Sequence, residues 1–173
     1  GVFTGLFSLV QVFAAMEPAE TVYFANPGEG GDFSLYRFHW ADFYNEPIND
    51  WERIVATLLS IPMAHQLIGF YSVADEKDGL LKVMRSYQFY AASKISDRVR
   101  LASWDKAGAR GGHVWHTTGS GKTMTSFKSA QLIADSKDAD KVIFLVDRIE
   151  LGTQSLDEYR NFADDSTSVQ ATE

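Results

Sequence analysis

The chain has 173 residues, no cysteine and a formal net charge of −7 at pH 7. The lack of cysteine excludes disulfides and thiolate metal sites, and no apolar run has the roughly 20 residues that a membrane-spanning helix needs. An acidic total argues against non-specific nucleic-acid binding by the chain as a whole. Its 45% hydrophobic and 23% charged residues match ordinary globular proteins, and its length suits one domain or parts of two. A reducing, cytoplasmic setting fits the missing cysteines.

The charge is unevenly placed. Residues 1–80 carry three Lys/Arg against eleven Asp/Glu, residues 81–133 nine against two, and residues 134–173 four against ten. The basic block suits a phosphate ligand, and solvated lysines on helix faces account for it equally well.

Residues 1–15 are apolar and uncharged, without the basic start of a signal peptide. Residues 6–15 read as a buried strand that Glu17-Pro18 breaks, and residues 21–26 as a second strand, making a hairpin. Pro27-Gly28 and Gly30-Gly31 mark a loop, and the aromatic-dense stretch 33–40 reads as a third strand. His39, Trp40 and Asp42 invite a metal or nuclease reading. They lack an E-x-K companion, so an aromatic structural cluster is expected. Asn49 and Glu52 form a capping-box pattern ahead of Ile54, Val55, Leu58 and Leu59, and Pro62 is expected to end that helix. Strands are expected over 67–73 and 80–84, turning at Asp78-Gly79. Tyr90, Ala91, Ile95 and Val99 recur at helical spacing, predicting a helix over about 87–102 capped by Ser86.

After a flexible loop at 108–112 comes the most informative stretch, residues 114–127, V-W-H-T-T-G-S-G-K-T-M-T-S-F. A predicted strand over 114–118 enters a turn with Gly119 and Gly121, and a helix is expected over 122–134. That order is a phosphate-binding loop. Backbone N–H groups wrap a phosphate only where no Cβ intervenes, hence the glycines. A helix N-terminus favours negative charge. Thr118, Gly119, Ser120 and Gly121 would form the cradle. Lys122 would reach the β- and γ-phosphates, and the Thr123 hydroxyl would take a Mg²⁺ position. His116 occupies the place that the general G-x-x-x-x-G-K-[S/T] pattern gives to glycine. His65, His113 and His116 show no metal-ligand spacing.

Asp138 and Asp140 sit in a polar turn, and residues 142–146 are five apolar residues in a row, as in a buried parallel strand. A helix over about 154–162 and a loop or frayed tail over 163–173 complete the pattern. From residue 114 onward this is a β-α-β unit with its ligand loop at the strand's carboxyl end, preceded by strand-rich, acidic sequence.

Two further groups draw attention. Gln88, 34 residues before Lys122, is a side chain that as an exposed amide could select adenine. Asp147 closes V-I-F-L-V-D, only 25 residues after Lys122. It reads either as a Mg²⁺-holding Walker B acid, as in a small-molecule kinase, or as part of a DNA-contacting loop with Arg148.

Three motifs in order, V-M-R-S-Y-Q (83–88), G-G-H-V-W-H-T-T-G-S-G-K-T-M-T-S-F-K (111–128) and I-F-L-V-D-R-I-E-L-G-T-Q (143–154), resemble the restriction (motor and nuclease) subunit of type I restriction-modification enzymes. The histidine opening the loop belongs to that likeness. Y-F-A-N (23–26) and R-F-H-W-A-D (37–42) extend it toward the start, so it covers most of the chain.

The resemblance implies an α/β chain that is the first part of a P-loop, RecA-like motor lobe, over residues 85–173. The strand-rich C-terminal part of a nuclease domain (1–62) and connecting strands (63–84) would precede it. It implies a bacterial, cytoplasmic, ATP- and Mg²⁺-dependent DNA translocase of helicase superfamily 2. Such an enzyme cuts duplex DNA away from its recognition site, in complex with modification (methyltransferase) and specificity subunits. Lys122 and Thr123 would be the catalytic and Mg²⁺-ATP residues, and Gln88 the adenine reader beside Arg85. Arg148 and Gln154, with Asp147 near them, would lie in the first DNA-contacting motor motif. The family's nuclease acids, Walker B box and second lobe are not among these residues, so the segment alone is expected to be inactive. A joint between nuclease and motor is a further reading of the aromatic first part.

Overall fold

The computed structural model describes residues 4–103, 105–106, 111–147, 149–164 and 167–171. The chain is a mixed α/β protein with small sheets, and it divides into two units, Gly1–Phe89 and Tyr90–Glu173.

The first unit opens on a 3-10 turn, Gly5–Leu9, where a buried strand was expected. Gly5 takes φ 61°, and Ser8 Oγ donates to its carbonyl at 2.7 Å, closing the turn. Strand β1 (Val12–Glu17) follows and pairs antiparallel with β2 (Glu20–Ala25), with Pro18 and Ala19 turning between them. β1 is an edge strand whose outer residues are exposed, so the early apolar run is not buried. On the other edge of β2 lies β3 (Phe38–His39), short because Asp32 caps a 3-10 turn, Phe33–Leu35, by accepting the Ser34 N–H.

Helix α1 (Trp51–Ala56) starts one residue later than the capping pattern suggested: Asp50, not Asn49, accepts the Arg53 N–H at 2.9 Å. Pro62 does not end a helix. It sits in the first turn of α2 (Ile61–Gly69), where a missing N–H loses no hydrogen bond. That helix takes up the first part of the strand expected at 67–73, leaving β4 (Ser72–Asp75). β4 pairs antiparallel with β5 (Leu80–Val83) around Gly79, and Lys82 bonds both Asp75 and Asp78 across the hairpin.

Tyr23, Trp40, Ile54 and Met84 are fully buried and form the core of this unit. Tyr23 meets Trp40 edge-on at 5.8 Å, Trp40 lies 5.7 Å from Phe89, and Phe89 meets Tyr71 at 4.5 Å. The Tyr23 hydroxyl donates to the Met84 carbonyl at 2.8 Å, tying β2 to the residue that follows β5. Burial pushes this phenol well above the ordinary tyrosine range, so it stays a donor. The His39-Trp40-Asp42 stretch is thus structural. Trp40 is core, and Asp42 Oδ1 accepts the N–H groups of Tyr44 and Glu46 in a turn.

Helix α3 (Ser86–Arg100) begins in the first unit and ends in the second. Residue 86 is its first helical residue, not its cap. The second unit holds α4 (Lys122–Asp135) and α5 (Ile149–Phe162), the latter starting five residues earlier than expected. Phe127 of α4 meets Tyr159 and Phe162 of α5 edge-on at 5.4 and 5.6 Å. Residues 114–118 and 142–146, expected as strands, form none, and Trp115 and Leu145 are 91% and 90% exposed. A strand exists only through its neighbours, and every strand among the described residues lies in the first unit. The second unit therefore shows the helix of the expected β-α-β unit and its loops, without the sheet. Arg148, part of the loop expected at 108–112, and part of the tail fall outside the described residues. No described helix is long and apolar enough to cross a membrane.

Tyr23→Phe leaves the buried Met84 carbonyl without its donor. It is expected to lower unfolding free energy by about 1–3 kcal/mol in urea titration. An unchanged midpoint would show that this bond contributes nothing.

Candidate functional site

The loop at 117–121 is shaped by its two glycines. Gly119 and Gly121 both take φ 75°, a left-handed backbone that a side chain resists. An added Cβ at Gly119 would meet nothing within 4 Å, so the demand there is conformational, and the space over the turn is open. Gly121 is the N-cap of α4, with ψ 39°. No side chain caps this helix, whereas Asp50 caps α1. The first-turn N–H groups of a helix have no intrahelical acceptor. Here that first turn follows directly on the two glycines, which carry no Cβ.

The loop closes on one carbonyl. Thr117 O accepts the Ser120 hydroxyl at 2.8 Å and the Lys122 ammonium at 2.9 Å, with the Ser120 N–H at 3.4 Å. Lys122 is exposed, and its ammonium rests on the neutral carbonyl of its own loop. An anion in the turn offers a stronger, charged acceptor for the same group. Thr118 is exposed on the turn, and Thr123 follows Lys122 in the first turn of α4, half-buried. No cluster of three or more His, Asp or Glu among the described residues could cage a metal ion. A Mg²⁺ entering here with a polyphosphate would need only one or two protein oxygens, a role the Thr123 hydroxyl fits.

His116, at the mouth of the loop, is half-buried. Desolvation, and then the charge of Lys122, hold its imidazole below the ordinary histidine range. It is neutral at pH 7 and adds no second positive charge to the turn.

Arg85 and Gln88 belong to the first unit, at the start of α3. Gln88 is not exposed, as an adenine reader was expected to be: only 5% of it is accessible. Its Oε1 accepts the Arg85 N–H at 2.9 Å, the reciprocal half of a capping box, and this folds the side chain inward. The Arg85 guanidinium stacks 4.7 Å over the Phe38 ring and donates to the Tyr87 hydroxyl at 3.2 Å.

Gln154 is exposed on α5 and donates to Glu158 at 3.0 Å. Asp147 is exposed just before that helix. Three residues with no signal in the periodicity stand out on α4 and α5. Ser126 Oγ lies 2.6 Å from the Tyr159 hydroxyl, and Lys128, buried within α4, donates to Gln131 at 2.6 Å. Desolvation lowers the Lys128 pKa, against the pull of Asp135 and Asp164.

Comparison with known proteins places this geometry. Residues 87–173, which contain the glycine turn, α4 and α5, match the SWI2/SNF2 ATPase family, and the chain belongs to that family. The resemblance carried by the three motifs holds as well. The chain is 36% identical over 161 residues to the type I restriction enzyme SauCOLORF180P endonuclease subunit of Staphylococcus aureus. It is 35% identical over the same length to the SsaAORF53P endonuclease subunit of Staphylococcus saprophyticus. Each match covers 93% of this chain and 17% of the relative, so the chain spans about a sixth of the length of these relatives.

The electrostatic coupling in the loop can be read by NMR. The His116 ring should titrate below the ordinary histidine midpoint. Lys122→Met should raise that midpoint without restoring it fully, because desolvation, the larger cause, remains. A midpoint indifferent to the substitution would remove Lys122 from the neighbourhood assigned to it.

Proposed function

We propose that this chain supplies the ATP-binding front of a RecA-like motor lobe, within a subunit that translocates duplex DNA and cleaves it away from the recognition site. The observation that carries the reading is the uncapped helix α4, entered through two left-handed glycines with Lys122 and Thr123 in its first turn. The SWI2/SNF2 match and the restriction-subunit relatives give it context.

In this reading residues 118–121 wrap the phosphates with backbone N–H groups. Lys122 leaves the Thr117 carbonyl to neutralise charge on the β- and γ-phosphates, and the Thr123 hydroxyl holds Mg²⁺. Mg²⁺-ATP brings the phosphoryl group whose transfer to water drives movement. Gln88 reads adenine with a side-chain amide that turns outward from its bond to the Arg85 N–H, and Arg85 flanks it. Arg148 and Gln154 contact DNA, with Asp147 in their loop in place of a Walker B acid.

The domain assignment proposed is nuclease-derived sequence over 1–62, connecting strands over 63–84 and motor lobe over 85–173. Partners are duplex DNA with modification and specificity subunits, in a bacterial cytoplasm. A phosphate cradle alone lacks the positioned acid and transition-state charge stabilisation that hydrolysis requires. The 173-residue chain by itself is therefore expected to bind nucleotide weakly and to be inactive in hydrolysis and cleavage.

The test uses the full-length protein with its partner subunits. Lys122→Ala should abolish DNA-stimulated ATP hydrolysis and translocation, a loss of at least about 100-fold for a charged group acting on the transferred phosphoryl. DNA-stimulated hydrolysis near the wild-type rate in that variant would overturn the assignment.

A further inference from the structure

Tyr159 joins three parts of the second unit. It is buried on α5, with its ring edge-on to Phe127 of α4 at 5.4 Å and tilted against Phe144 of the 142–146 run at 5.1 Å. Its hydroxyl lies 2.6 Å from Ser126 Oγ. Ser126 Oγ in turn stands 2.8 Å from the Lys122 carbonyl and 3.0 Å from the Thr123 carbonyl. Carbonyl oxygens only accept, so the serine hydrogen goes to them and the tyrosine hydrogen goes to the serine. The chain of bonds therefore runs one way, from Tyr159 through Ser126 to the first turn of α4. Burial pushes the Tyr159 phenol up to about 12, against the opposing effect of its bond to Ser126, so it keeps its proton at neutral pH.

Packing does not require that hydroxyl. A phenylalanine would fill the same space against Phe127 and Phe144. What the hydroxyl adds is a directional link between two residues needed at a phosphate site and the helix that also carries Gln154. We propose that Tyr159 is a positioning residue, whose hydroxyl, relayed by Ser126, fixes the first turn of α4 and passes displacement of α5 by DNA to Lys122 and Thr123. The proposal rests on the motor reading above.

The test is ATP hydrolysis by the full-length protein with its partner subunits, with and without duplex DNA, for the wild type, Tyr159→Phe, Ser126→Ala and the double variant. Each single variant should lose about fivefold in DNA-stimulated kcat, the worth of one net hydrogen bond, with KM for ATP little changed. The double variant should lose no more than either alone, because both remove the same link. Ser126→Thr, which keeps an Oγ, should restore the rate. A general packing defect would instead lower thermal stability and act with no rescue by threonine. Full stimulation in Tyr159→Phe, or additive losses in the double variant, overturns the relay alone. A wild-type protein whose hydrolysis ignores DNA overturns the motor reading, and the relay with it.

Discussion

The geometry at 117–123 depends on one backbone constraint: two glycines, separated by a serine, both held at φ 75°. With that curvature the chain reverses and enters α4 without a capping side chain. The same reversal brings the Thr117 carbonyl within reach of both Ser120 and Lys122. An ordinary helix start, such as Asp50 at α1, spends a carboxylate on its first-turn amides. At α4 no side chain takes that place, and the Lys122 ammonium is held close by on the Thr117 carbonyl. His116 stays neutral beside it through desolvation and the lysine's own charge.

Behind the loop, α4 is braced rather than simply buried. Phe127, Tyr159 and Phe162 form the apolar contact with α5, and polar links run along its sides. Gln131 donates to Asp164 at 3.1 Å beyond the end of α5, while Ser129 returns its hydroxyl to the Thr125 carbonyl. Lys128 is buried with Gln131 as acceptor, which meets part of the desolvation its charge suffers. Side chains chosen for packing alone would not place a lysine there. The contacts of α4 with α5 and with Asp164 tie the two helices together along their length.

The local features were legible in the sequence. The glycine turn, the start of α4 and the span of α3 follow from caps, glycine positions and a 3.6-residue period, all short-range effects. Features that depend on competition between neighbours were less so. Asn49 and Asp50 are adjacent residues of equal capping talent, and only the structure shows which carboxylate or amide reaches Arg53. Pro62 reads as a stop or a start depending on which side the helix lies. Residues 114–118 and 142–146 have strand composition, yet strand formation needs a hydrogen-bonded neighbour that composition cannot supply. Gln88 carries a polar side chain whose inward turn comes from a bond to a residue three places back. The Tyr159–Ser126 link joins residues 33 positions apart and leaves no trace in periodicity.

The most direct measurement of the central claim is an amide NMR titration of the isotopically labelled protein with Mg²⁺-ATP. If the two-glycine turn is a phosphate cradle, the largest shifts will fall on the N–H groups of Gly119, Ser120, Gly121, Lys122 and Thr123, and inorganic triphosphate will reproduce them. Shifts that bypass these amides and gather elsewhere, or saturating nucleotide that leaves them unmoved, would contradict the account.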